Sequence, residues 1–320
     1  MKALRVSAPG EVSVADVPDP TPVDGEVLVR VERAALCATD RKIIQRGVAC
    51  PLVLGHEGAG RLADGTPVGI HPDVGCGRCR HCRQGLETRC PDKRSLGVRR
   101  DGALAERVAV RRDHVVPLAG LELALAPLLE PLACCLHAVT LLAPAPGTPA
   151  LVVGGGVMGI LNLWALRASG CPVLLVEPNE ERRELALELG ADAVTAPDVP
   201  VAEALGCVPQ FAVVTVPSAE ALASSLEQVD IGGAVHAFAS IQGAAAVDAN
   251  LVHSRHLRLV GSTGSDLDDY ERARTLVASA RVPIHRLPVT EIPLEKAPDQ
   301  LRDGTGSETL KTIVDVRGEE

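Results

Sequence analysis

Apolar and polar positions alternate with a period of two through the first hundred residues. Val27, Val29 and Val31 interleave with Leu28, Arg30 and Glu32, and Pro, Gly and Asp punctuate the runs, as in PDPTPVDGE. Such alternation predicts strands and turns from Met1 to about Val110, with a tight turn at ADGTP, 63–67. From 121 to 142 the spacing becomes helical, interrupted by Pro127 and Pro131, and APAPGTPA at 143–150 reads as a boundary loop. Beyond it the pattern changes. Apolar runs at 151–153, 173–176, 211–216, 234–239 and 257–262 read as buried strands with helical stretches between them, one of which (180–189) closes at Gly190. That succession predicts an α/β arrangement with a doubly wound parallel sheet. From about Pro283 the tail returns to strand-like pieces ending in LKTIVDV. The expected plan is a β-rich domain from residues 1–142 and 284–320, with a nucleotide domain, 143–283, set into it.

The chain is organised around 151–177, LVVGGGVMGILNLWALRASGCPVLLVE. Gly154, Gly156 and Gly159 form G-x-G-x-x-G between a strand and a helix. The first two allow a tight turn and a close approach to a pyrophosphate, and the third allows close helix–strand packing. The helix N-terminus at Val157 and Met158 offers peptide N–H groups to the phosphates. Glu177, ending the second strand, can accept hydrogen bonds from both adenosine ribose hydroxyls. That chemistry favours NAD, since a carboxylate repels the 2′-phosphate of NADP. Arg182 and Arg183 follow and could soften the repulsion, although Glu180, Glu181 and nearby acids offer them ordinary pairing.

Composition narrows the possibilities. The net charge is −9, the wrong sign for a nucleic-acid surface, and no apolar run is expected to approach a membrane span. The N-terminal stretch has no continuous apolar segment of the secretory kind and reads as a first strand. Aromatics make up only 1%, so cores must be built from Ala, Val and Leu. Ten cysteines without such a leader suggest thiols and metal ligands in a reducing compartment, hence a cytoplasmic location. Cys76, Cys79, Cys82 and Cys90 stand as C-x2-C-x2-C-x7-C, with Gly75, Gly77 and Gly85 to turn the chain. Four thiolates at this spacing can enclose Zn2+ tetrahedrally with no open position, which makes the site structural.

Two further fragments, LCATDRKI (36–43) and LGHEGAG (54–60), hold Cys37 and His56, suitable ligands for a zinc that keeps a position open. At this point the chain resembles the zinc-dependent medium-chain alcohol and polyol dehydrogenases. The matching parts are C-x-T-D at 37–40, G-H-E at 55–57, the four-cysteine knuckle, E-P-L at 130–132, the glycine fingerprint, the GS after the strand at 257–260 and K-x-I-V at 311–314. The resemblance runs nearly end to end. It implies a Rossmann sheet inserted in a GroES-like catalytic domain and two zinc ions per chain, one catalytic and one structural. It also implies hydride transfer between a secondary alcohol and NAD. Cys37 and His56 would be zinc ligands, Glu57 a ligand or close neighbour, and Glu130 a further carboxylate. Thr39 would bond the substrate oxygen and pass on its proton. Asp40 would orient a zinc ligand or cap the following segment.

Lys42 stands where many relatives carry a relay histidine. The stretch between Cys37 and His56 and the hairpin after Gly58 look short, which implies a more open cleft. His71, His81 and His114 lack ligand-like spacing and are expected at the surface or behind the ligands. The Glu57 and Glu130 pair is similar to the polyol and sugar branch, so the expected substrate is a small hydrophilic alcohol or ketone: a polyol, sugar or cyclitol. Arg41, Lys42 and Arg46 leave an anionic alcohol as an alternative, and a non-catalytic nucleotide-binding relative is another. A homodimer or homotetramer is expected by resemblance, with no nucleic-acid or membrane partner.

Overall fold

The computed structural model describes every residue except 47–49, 242, 304–308 and 318–320. It divides into two compact units, Met1–Ala133 with Ser265–Glu320, and Cys134–Gly264.

The first unit opens with β1 (Lys2–Ala8), β2 (Glu11–Asp16), β3 (Glu26–Ala35), β4 (Leu52–Val53), β5 (Glu57–Arg61), β6 (Pro67–Ile70), β7 (Arg107–Arg111) and β8 (Val115–Pro117). Helix α1 (Ala38–Arg46) lies between β3 and β4. Alternation in β3 buries Val29 and Val31 and leaves Leu28 and Arg30 outside. The register against β5 then slips between Val31 and Arg33, which is why Glu32 is buried next to Val31. The ADGTP segment is the expected turn, closed by the Leu62 N–H donating to the Thr66 carbonyl at 3.0 Å. The core gathers Leu4, Val6, Val29, Val31, Leu54, Ile70, Leu104 and Val110, all aliphatic, as the scarcity of aromatics required.

The 121–142 stretch is a 3-10 turn, Leu123–Leu128, followed by α2 (Leu129–Leu142). Pro127 lies in the 3-10 piece and Pro131 in the first turn of α2, where a missing N–H breaks no helical bond. One expectation is corrected here. Leu123–Leu142 is long and apolar enough to cross a membrane by length and composition, with mean hydropathy 1.7. Its apolar surface is used internally: 78% of that window is buried within the protein.

The second unit holds β9 (Ala150–Val153), α3 (Val157–Ala168), β10 (Val173–Val176), α4 (Glu180–Glu188), β11 (Ala193–Thr195), α5 (Val201–Leu205) and β12 (Phe211–Val214). It continues with α6 (Ala219–Gln228), β13 (Ala234–Ala237), α7 (Ala249–Ser254) and β14 (Arg258–Gly261). The strands lie parallel in the order β11-β10-β9-β12-β13-β14, a doubly wound sheet. Its inner strands are buried as their continuous apolar runs predict. β14 departs from the expectation of a buried strand, because it is the sheet edge and pairs only with β13, leaving Arg258 and Leu259 exposed.

The chain then returns to the first unit through α8 (Leu267–Ala278), β15 (Val289–Pro293), α9 (Ala297–Asp303) and β16 (Lys311–Asp315). β16 joins β15 to β3 in a seven-stranded sheet, ordered β15-β16-β3-β5-β6-β8 with β7 also on β3. The unit boundary falls at 264/265 rather than 283/284. The reason is α8, which buries Tyr270 over Gly69 of β6. Helical periodicity shows that such a face exists but not which domain receives it.

Candidate active site

In the second unit, the turn after β9 is built as its glycines require. Gly154 adopts φ +108°, and a Cβ on Gly159 would stand 1.8 Å from the Gly154 carbonyl oxygen, so helix and strand meet there only through glycine. A Cβ on Gly156 would meet nothing within 4 Å, so that side of the loop is open. Gly156 caps α3 with no side-chain acceptor, leaving the Val157 and Met158 N–H groups available to an anion. Glu177 is buried beside this loop. Its Oε2 accepts from the Gly155 N–H at 2.7 Å and its Oε1 from the Asn179 N–H at 3.0 Å. The Arg182 backbone N–H is taken up by Asn179, the α4 cap. It is Arg183 whose guanidinium folds back, donating to the Glu177 and Pro178 carbonyls at 2.8 Å each.

In the first unit, the β3–β5 ladder sets Ala35 against Glu57, which carries Cys37, two residues on, to His56. The ligand atoms of Cys37, His56 and Glu57 all lie within 4.8 Å of one another. Asp40 lies within α1 and does not cap the segment after it. One oxygen accepts from the Cys37 N–H at 2.8 Å, and the other lies 3.6 Å from His56 Nδ1. His56 therefore turns Nε2 toward the thiol and Glu57. Burial opposes a charge on His56, but Cys37 and Asp40 outweigh it and raise its proton affinity well above the ordinary value. A place that holds a buried proton this firmly suits a cation. Among the described residues the buried Glu57 Oε2 has no hydrogen-bond partner, a second sign that this donor group fits a metal. Three protein ligands with one position left open match catalytic zinc.

Glu130, in the first turn of α2, is buried but is not a member of the three-residue donor group. Thr39 is half-buried in the first turn of α1, and Lys42 lies one turn further along. The residue that spacing missed is Lys311. Its Nζ lies 2.6 Å from Glu57 Oε1, and both side chains are almost fully buried. Burial works against its charge, but Glu57, Cys37 and Glu130 together raise its pKa above the ordinary lysine value. A lone lysine inside the apolar run LKTIVDV was the available signal.

The four cysteines converge as foreseen, with all four sulfurs within 4.8 Å of one another and none in a disulfide. Backbone N–H groups of Arg78 and Cys79 pull the Cys76 thiol down to about 6. Burial, and then a hydrogen bond with the Cys79 thiol, push Cys82 up to about 12. Four sulfurs this close, outside any disulfide, form a donor set that would suit a zinc ion. Glu87 backs the knuckle, accepting from the Gly75 N–H and from Arg111 at 2.8 Å, while Thr88 donates twice to Asp266 at 3.0 Å.

His71 and His114 are buried rather than at the surface. Their Nδ1 atoms are 3.0 Å apart, and His71 Nε2 reaches the Ser265 carbonyl at 2.8 Å. Burial, followed by the positive charges of His71 and Arg111, depresses His114 to about 4. Burial, followed by His137, takes His236 in the second unit to about 4 as well. Folded and unfolded chains are both neutral at these sites above pH ~6.5. Between there and pH 4 only the unfolded chain takes up protons, so stability should fall as pH falls, by roughly 3 kcal/mol for each fully expressed site. Urea midpoints from pH 7.5 to 4.5 should show the decline, and His114→Asn should flatten it. An unaltered slope in that variant would remove His114 from the account.

Comparison with known proteins accords with this geometry. Residues 23–120 match the alcohol dehydrogenase GroES-like domain, and residues 157–279 match the zinc-binding dehydrogenase family. L-Threonine 3-dehydrogenase of Pyrococcus horikoshii is 30% identical over 299 residues, 83% of this chain and 84% of that protein. The chain belongs to the zinc-dependent medium-chain alcohol and polyol dehydrogenases. This dehydrogenase is also similar to L-galactonate-5-dehydrogenase of Escherichia coli K12, 28% identical over 301 residues and 88% of each chain. Among solved structures, a putative zinc-binding dehydrogenase from Sinorhizobium meliloti bound to NADP superposes with a TM-score of 0.91. The two share 29% identity, and 98% of each chain is covered. Membership accounts for the GroES-like and Rossmann parts and for zinc and nicotinamide chemistry in one chain.

Proposed function

We propose that this dehydrogenase moves hydride between a secondary alcohol of a polyol, sugar or cyclitol and NAD. The observation that carries the reading is the Cys37–His56–Glu57 donor group, its histidine and glutamate buried and one carboxylate oxygen orphaned. Zinc bound there supplies Lewis acidity that eases removal of the alcohol proton. Cys37, His56 and Glu57 hold the ion, Asp40 fixes the His56 ring, and Glu130 adds a nearby carboxylate. Thr39 accepts the alcohol proton and passes it outward, and Gly154, Gly156, Val157, Met158, Gly159 and Glu177 seat the dinucleotide. The similarity to an L-galactonate dehydrogenase and the sparse aromatics favour a hydrophilic substrate. Arg41 donates to the Gln300 carbonyl at 3.4 Å, which weakens the case for an anion site on α1. A panel of sugars, polyols, cyclitols and phosphorylated alcohols followed at the NADH absorbance tests the substrate class. Turnover confined to apolar alcohols would overturn it. Cys37→Ser should abolish turnover while the knuckle keeps its zinc. Thr39→Ala should lower turnover far more than Lys42→Ala, and equal losses would move the relay to Lys42.

Cofactor choice rests on Glu177, which two peptide N–H groups hold as an acceptor. NAD should be preferred by at least about tenfold, ~1.4 kcal/mol of discrimination, and Glu177→Ala should narrow the gap by admitting NADP. The Sinorhizobium relative bound to NADP makes the comparison informative. Equal specificity constants in the parent protein would contradict the assignment and turn attention to Arg182 and Arg183. The open edge of β14, with Leu259 exposed, supports a homodimer or homotetramer, and sedimentation of the purified protein tests the assembly.

A further inference from the structure

Tyr270 of α8 is fully buried, and its hydroxyl makes no hydrogen bond to a described protein atom. It stands over Gly69, where an added Cβ would lie 2.4 Å from the hydroxyl oxygen. Its ring meets His71 edge-on, with centroids 5.7 Å apart. Gly69 pairs with Ala59 across the β5–β6 ladder, and partners across an antiparallel ladder point to the same face. Side chains two residues apart on a strand also share a face, so Glu57 projects on the side where the Tyr270 hydroxyl lies. Glu57 Oε1 is taken by Lys311, while Oε2 is buried without a partner. An unpaired hydroxyl and an unpaired carboxylate oxygen thus lie on one face of one ladder, two residues apart along β5. A tyrosine hydroxyl keeps its proton near neutral pH and so is available as a donor.

We propose that Tyr270 is a positioning residue for the carboxylates beside the catalytic metal, its hydroxyl donating to the Glu57–Glu130 pair directly or across one water. The proposal rests on the zinc-dehydrogenase reading and deepens it. Lys311 fixes one oxygen of Glu57, and Tyr270 restrains the other side of the pair, which sets how far a carboxylate can swing toward or away from the ion. Packing alone does not need the hydroxyl. Phenylalanine would fill the same space, and an unpartnered buried hydroxyl carries a desolvation cost.

Tyr270→Phe removes that one oxygen. The variant should fold and keep its knuckle zinc, and kcat should fall about tenfold or more, with a displaced pH profile and little change in KM. Cobalt(II) at the Cys37 site, read as a difference spectrum against Cys37→Ser, should show shifted visible bands in Tyr270→Phe. Gly69→Ala, whose methyl group would displace the hydroxyl without removing it, should shift the same bands. Superimposable spectra and pH profiles for the parent and Tyr270→Phe would overturn the role of Tyr270 alone. A parent chain that takes up no cobalt at the Cys37 site would overturn the metal reading, and this proposal with it.

Discussion

Cys82→Ser should bind one zinc per chain where the parent binds two, and should lower the stability of the first unit by roughly 3–5 kcal/mol. Loss of a structural metal is among the few mechanisms that give large losses from a single substitution. The size follows from what the knuckle supports. Cys82 lies within a closed set of four thiols, and the turn that closes the set carries Glu87 and Thr88. Glu87 ties the Gly75 peptide to Arg111, and Thr88 ties α8 through Asp266, so opening the knuckle strips partners from buried polar groups elsewhere. Metal analysis with urea unfolding of parent and variant provides the measurement. Undiminished zinc content, or an unchanged midpoint, would refute the structural assignment of these cysteines.

Lys311→Met should destabilise the protein by about 3–5 kcal/mol, because it leaves the Glu57 carboxylate buried beside Cys37 and Glu130 without its cation. The cost lies mainly in the stranded charge rather than in a lost attraction. Glu57→Gln in the Lys311→Met background should therefore recover much of the loss. Lys311→Met should also weaken turnover, since Glu57 would no longer be held beside Cys37 and His56. Additive losses in the double variant, or a Lys311→Met protein as stable as the parent, would show that the pair is not coupled.

How much of this was legible depends on the distance along the chain over which each feature is written. The knuckle spans fifteen positions, so spacing alone brought its four cysteines together as candidate ligands, and the glycine loop with Glu177 is equally local. The inner strands of the parallel sheet could be read because burial on both faces leaves a continuous apolar run. β14 carries a similar run but lies at the edge, and edge position is a property of the sheet rather than of the segment. Leu123–Leu142 shows the same limit, since the composition of a membrane span and that of a buried core helix coincide.

For this protein the sequence by itself determined the fold class, because the apolar runs and the glycine loop are written at short, regular separations; of the four residues it proposed around a catalytic metal, Glu130 lies outside the close donor group. Tertiary structure decided the rest. It brought Lys311 to Glu57 across 254 positions, set His71 against His114, and delivered α8 to the first unit with Tyr270 over Gly69. Each of these pairs a polar or bulky group with a partner that no local pattern specifies. The requirement that buried charges and hydrogen-bonding groups be matched can be stated from the sequence, but the residue that meets it is chosen only when strands and helices assemble.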